Sequence, residues 1–105
     1  MVKDITVEQL KNRIDACDDL LLLDVREADE REFANIGGTF IPLSEFGLRY
    51  KELDPEKEIV VYCHHGGRSY AAGNYLVENG FKNVHNLTGG IDAWAVKIDK
   101  TVKRY

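Results

Sequence analysis

Apolar residues along this chain fall into short unbroken blocks and into stripes spaced by three and four. The blocks are Leu20 to Val25 and Glu58 to Tyr62, while Thr39-Phe40-Ile41 closed by Pro42 and Val84-His85-Asn86-Leu87 read as further short strands. Blocks of this length without polar alternation read as strands buried on both faces. Helical stripes lie between them. Thr6-Val7-Glu8-Gln9 has the form of a capping box, with Val7, Leu10 and Ile14 as the apolar stripe behind it. Glu27 to Phe33 is strongly charged and reads as a short exposed helix, broken at Ile36-Gly37-Gly38. Ser44 with Glu45 starts another helix that runs toward Leu53 and stops at Asp54-Pro55. Ser69 to Asn79 places Ala72, Tyr75 and Leu76 on one face, with Gly80 as C-cap, and Gly89-Gly90 turns into Ile91 to Ile98, which carries Trp94. Strand and helix alternate throughout. The pattern predicts an α/β fold, a parallel sheet with helices on both faces.

With 105 residues the chain is expected to form one domain, 1–105, around a single core. A net charge of −4 argues against nonspecific binding to nucleic acid or to an anionic membrane. The lysine-rich tail (Lys97, Lys100, Lys103, Arg104) is diluted by Asp99 and apolar neighbours and reads as a solvated terminus. The start has no apolar core of signal-peptide length, and no run is long enough to span a bilayer. A reducing cytoplasm is therefore the expected location, where two cysteines need not pair.

The densest chemistry is the segment Cys63-His64-His65-Gly66-Gly67-Arg68-Ser69. It puts a thiol at the end of a buried strand, a glycine pair after it, and a helix start next. In open α/β sheets that edge is where ligands bind. Glycines let successive N–H groups converge into an anion nest, and the helix start adds its positive dipole end. A sulfur facing those donors is expected to lie partly as thiolate, the reactive form. The alternative is a cysteine packed as a small hydrophobe. Arg68 can close the loop by bonding a carbonyl or carboxylate, and can also hold an anionic group in a forked hydrogen bond. His64 and His65 are candidates for acid or base, or are exposed loop residues whose backbone N–H groups matter more. Ser69 is expected to cap the next helix, with its hydroxyl available to the sulfur.

Cysteine phosphatases carry Cys-x5-Arg, a ring of N–H groups sized for phosphate. Here four residues separate Cys63 from Arg68, and the smaller cradle suits one extra sulfur atom better. Asp24 and Arg26 end the other strong strand and bear either on the site or on structure alone, Asp24 capping a turn and Arg26 pairing with Glu27 or Glu30. Cys17 lies among Asp15, Asp18 and Asp19, which disfavour a thiolate. Trp94 and Phe81 read as core or rim. No metal-ligand spacing is visible, because Cys63, His64 and His65 are adjacent.

Three segments together resemble the rhodanese family of single-domain sulfurtransferases: Leu22-Leu23-Asp24-Val25-Arg26-Glu27, Ile59 through Ser69, and Gly80-Phe81-Lys82-Asn83-Val84 with Leu87-Thr88-Gly89-Gly90-Ile91-Asp92-Ala93-Trp94. The resemblance implies a five-stranded parallel sheet and a six-residue active loop that starts at Cys63 and carries a transient persulfide. It implies Cys63 as nucleophile, with His64, His65, Gly66, Gly67, Arg68 and Ser69 around the transferred sulfur. It implies no metal and no organic cofactor. The expected partners are a small sulfur donor such as thiosulfate or a persulfide, and a thiol or cyanide-like acceptor. Nothing requires more than a monomer. Ala34-Asn35-Ile36-Gly37-Gly38-Thr39 departs from the family's usual Gly-His-Ile-Pro-Gly-Ala. That departure, with Ala93-Trp94-Ala95 and Tyr105, is similar to rhodanese domains fused behind E1-like adenylating enzymes, which makes a sulfur-carrier protein a candidate acceptor. Two other functions stay open: a non-catalytic rhodanese-like binding module, and a cysteine phosphatase or arsenate reductase.

Overall fold

A computed structural model describes residues 1–105. Five parallel strands, β1 (Lys3–Ile5), β2 (Leu21–Asp24), β3 (Thr39–Phe40), β4 (Ile59–Tyr62) and β5 (Val84–Leu87), lie in the order β1-β5-β4-β2-β3. The helices are α1 (Val7–Asp15), α2 (Ala28–Phe33), α3 (Leu43–Arg49), α4 (Gly67–Glu78) and α5 (Gly90–Lys97). β4 is central, paired with β2 from Leu21–Ile59 to Asp24–Tyr62 and with β5 from Ile59–Val84 to Val61–Asn86. Its four residues are all buried, as its unbroken apolar run predicts.

Side chains alternate across a strand, so β4 feeds two cores. Ile59, Val61 and Cys63 pack with Phe46, Ala72 and Leu76, beneath α3 and α4. Val60 and Tyr62 pack with Val7, Leu10, Ile91 and Trp94, beneath α1 and α5. Each fully buried aliphatic side chain contributes about 1.5–3 kcal/mol. Helices therefore cover both faces, and Cys63 is set on the α4 side of the sheet.

The structure corrects several local expectations. β1 is the fifth strand that the resemblance implied; only Val2 and Ile5 of its segment are buried, so no apolar block announces it. The Thr6 capping box forms as expected, with Gln9 N donating to Thr6 Oγ1 and Thr6 N to Gln9 Oε1, but Ile14 is exposed rather than part of the stripe. α3 starts at Leu43 behind Pro42, not at Ser44, because Ser44 N and Oγ are tied to the Glu27 carboxylate. It stops at Arg49, and a 3-10 turn (Tyr50–Glu52) reaches Leu53. In α4 the buried face is Ala72, Gly73 and Leu76, with Tyr75 partly exposed, and the cap is Asn79 with Gly80 just beyond at positive φ. The tail is not simply solvated: Arg104 pairs with Asp92, and Tyr105 folds back onto the Cys63 loop.

Candidate active site

Cys63 follows the last residue of β4 and is 1% exposed. The chain then turns at Gly66, whose φ of +116° suits glycine, and enters α4 at Gly67. The first N–H groups of a helix have no intrahelical acceptor. Here two donors near the helix start aim at the sulfur: Gly66 N lies 3.1 Å and Ser69 N 3.4 Å from Cys63 Sγ. Ser69 Oγ lies 3.3 Å from the same sulfur. The twelve-residue α4 thus presents its positive end to the thiol.

Ser69 is not the helix cap, since Gly66 holds that position. Its hydroxyl instead donates to Asn86 Oδ1 at 2.5 Å, while Asn86 Nδ2 donates to Gly66 O at 3.2 Å. Asn86, on β5, ties the middle of the loop, at Gly66, and its far end, at Ser69, to the sheet. The Ser69 hydroxyl can donate to Asn86 Oδ1 while accepting from a Cys63 thiol, or turn its proton to the sulfur when that is an anion. Sequence reasoning passed over Asn86; in the strand Val84-His85-Asn86-Leu87 it carries no signal beyond a carboxamide next to a histidine.

The start of α5 holds the loop from the other side. Ile91 N donates to Cys63 O at 2.9 Å and Asp92 N to His64 O at 3.1 Å. With these carbonyls held outward, the loop is free to turn N–H groups toward the sulfur. Gly90 makes the approach possible, since a Cβ there would stand 2.4 Å from both carbonyl oxygens, at a φ of +60°.

Arg68 forks onto Glu30 of α2 at 2.6 and 2.8 Å. Those hydrogen bonds hold the Glu30 carboxyl down at about 2, against some opposition from burial. Of the two roles open to Arg68 in the sequence, loop closure is the one its side chain performs here. Glu30 also accepts from Tyr105 Oη at 2.9 Å, and that oxygen accepts from Arg26 Nη1 at 2.9 Å. Arg26 is completely buried. It forks onto Asp24 at 2.9 Å twice and donates to Ala34 O at 2.6 Å and Glu30 O at 3.3 Å. Its expected pairing with the Glu27 or Glu30 carboxylate is therefore replaced by Asp24, the group nearest along the extended strand. Burial opposes the Arg26 charge, but the bonds to Asp24 and Tyr105 outweigh it and hold the guanidinium protonated. Asp24 accepts in addition from Arg31 and Tyr62. Asp24 and Arg26 thus join β2, α2 and the tail, and reach the loop through Tyr105 and Glu30.

His64 is partly buried, stacked on Tyr105 with centroids 4.0 Å apart and on His65 at 3.9 Å. Burial, then the neighbouring His65, pushes its imidazole below the usual histidine range. His65 is exposed, 3.7 Å from Asp92. Cys17 lies on the surface away from these elements, in the loop after α1, with a φ of +58°.

Residues 6–97 match the profile of the Rhodanese-like domain. The chain belongs to that family. This rhodanese-like domain is 38% identical to a sulfurtransferase of Allochromatium vinosum, over 90% of each chain. It is 41% identical to the chloroplastic rhodanese-like/PpiC domain-containing protein 12 of Arabidopsis thaliana, over 99% of its own length. It spans 38% of that protein and 54% of another relative, YrkF of Bacillus subtilis. Its fold matches the crystal structure of a rhodanese-related protein from Thermoplasma volcanium, with a TM-score of 0.82 and 35% identity over 91% and 93% of the two chains. No helix of the domain is long and apolar enough to cross a membrane.

Proposed function

We propose that this rhodanese-like domain is a sulfurtransferase that carries a sulfane sulfur on Cys63. The convergence of Gly66 N, Ser69 N and Ser69 Oγ on one buried sulfur carries this reading. Such an arrangement favours anionic sulfur and is of little use to an inert thiol. The name of the Allochromatium relative points the same way.

The Cys63 thiolate attacks the outer sulfur of thiosulfate, forming an S–S bond as the donor's own S–S bond breaks and sulfite leaves with the electron pair. The negative outer sulfur of the persulfide is then held by N–H groups of the loop from His64 to Ser69. Because Arg68 and Arg26 are both paired with carboxylates, the backbone donors and the α4 end supply most of the stabilising field. An acceptor nucleophile, cyanide or a thiol, takes the outer sulfur and returns the Cys63 thiolate. No metal or organic cofactor takes part, and the two half-reactions predict ping-pong kinetics. A sulfur-carrier protein is a candidate acceptor in the cell, and residues 1–105 suffice as one monomeric, cytoplasmic unit for this chemistry.

A phosphatase needs its arginine free to clasp phosphate. The Arg68–Glu30 fork and the four-residue spacing disfavour that use. The deciding experiment is intact-mass measurement after incubation with thiosulfate. Wild type gains the mass of one sulfur atom and loses it on adding cyanide, whereas Cys63→Ser gains nothing. Equal gain by Cys63→Ser, or none by wild type, removes the basis of the proposal, and the second result favours a binding module.

A further inference from the structure

We propose that His64, His65 and Asp92 form a site for a divalent transition-metal ion of the zinc class. The proposed sulfur chemistry uses the backbone of residues 64 and 65 and leaves both imidazoles without work. Their ring nitrogens and an Asp92 carboxylate oxygen all lie within 4.8 Å of one another. Two imidazoles and a carboxylate are the donor set that suits zinc, copper or nickel rather than calcium or magnesium.

A second observation concerns His64 itself. His64 Nε2 is shielded from solvent and has no hydrogen-bond partner. A buried ring nitrogen without a partner is unusual and is commonly answered by water or an ion. The neighbouring groups are also held in place. The His64 ring lies on Tyr105, and the Asp92 N–H donates to His64 O. A tetrahedral zinc with Zn–N bonds of 2.0–2.1 Å sets its ligand atoms about 3.3 Å apart. His65 is exposed, with its Nε2 already 3.7 Å from an Asp92 carboxylate oxygen, so its side chain is free to adjust toward that spacing. The Arg104–Asp92 pair is exposed on the arginine side and gives way easily. Three protein ligands leave one position of a tetrahedral ion for water or a small anion.

Spacing along the chain hides this site, because Asp92 follows His65 by 27 residues and reaches it only through the Gly90 turn. The test is calorimetric titration of the full chain with zinc chloride, with Cys17→Ser and Cys63→Ser introduced to remove both thiols. One equivalent binds, and binding weakens by about tenfold or more in Asp92→Asn and in His65→Ala. Cobalt(II) in the same double-serine protein gives the visible absorption of a tetrahedral ion, and Asp92→Asn loses it. Absence of saturable binding, or binding unchanged in both variants, overturns the site. Binding is read directly, so the outcome does not depend on whether Cys63 carries sulfur.

Discussion

At the scale of single residues, Asn86 supports the loop around Cys63 through Ser69 and Gly66. Replacing it with alanine removes the buried acceptor of the Ser69 hydroxyl and one of the two donors to Gly66 O, leaving Ser69 only the Cys63 sulfur and Gly66 O only Tyr70 N. The expected cost is about 1–3 kcal/mol in urea unfolding, with a fall of about tenfold or more in kcat/KM for thiosulfate and cyanide. Asn86→Asp keeps an acceptor for Ser69 but adds negative charge behind the sulfur, so its kinetic loss should exceed that of Asn86→Ala. Glu30 offers a separate test. Its folded value, about 2, lies below the ordinary carboxylate value, chiefly because of Arg68. The stability it contributes is therefore complete above the unfolded value near 4.5 and fades as pH falls toward 2. The difference in unfolding free energy between wild type and Glu30→Gln should be flat from pH 7 to 5 and shrink below. A constant difference down to pH 2.5 would contradict the pairing. Cys63, Arg68 and the glycines stand out in the sequence because they cluster within one loop. Asn86 and Glu30 do not, because each reaches the loop only through the fold.

At the scale of elements, the site depends on how closely α5 approaches the loop. Gly90→Ala places a methyl group against two carbonyl oxygens and forces a positive φ on alanine. A loss of about 2 kcal/mol or more is expected in thermal unfolding, together with most of the sulfur-transfer rate. Gly47 serves as a contrast: it lies within α3 with open space around it, and Gly47→Ala should stabilise by about 0.5–1 kcal/mol without touching the site. The apolar blocks made β2 and β4 legible in the sequence, since their faces are buried by helices on both sides. β1 escaped notice because an edge strand with Lys3 and Asp4 exposed needs only Val2 and Ile5 inside. The start of α3 was misplaced by one residue because Ser44, a favoured cap, is drawn instead to Glu27 of the preceding segment.

For the whole molecule, Tyr105 connects parts that are far apart in the chain. Its hydroxyl links Arg26 to Glu30, its ring lies on His64, and its edge meets Phe33 at 5.8 Å. Tyr105→Ala removes the ring but keeps the backbone, so His64 becomes better solvated and its titration, followed by NMR, should move up toward the ordinary histidine value. No movement would mean that another group shields the imidazole. The family, four of the five strands and the loop after Cys63 were readable from local patterns. The closure of the tail over the loop was not, because aromatic and charged residues near a terminus look the same whether docked or free.

The position of Tyr105 also bears on how the protein should be handled. Met1 stands 90% exposed on the far end of a short edge strand, whereas the last residue lies against the sulfur loop. Any segment that continues past Tyr105 would emerge beside Cys63 and crowd its approach. Joined to the amino end, the same segment leaves that approach clear, and the two fusions would differ in measured turnover although their folded domains are identical.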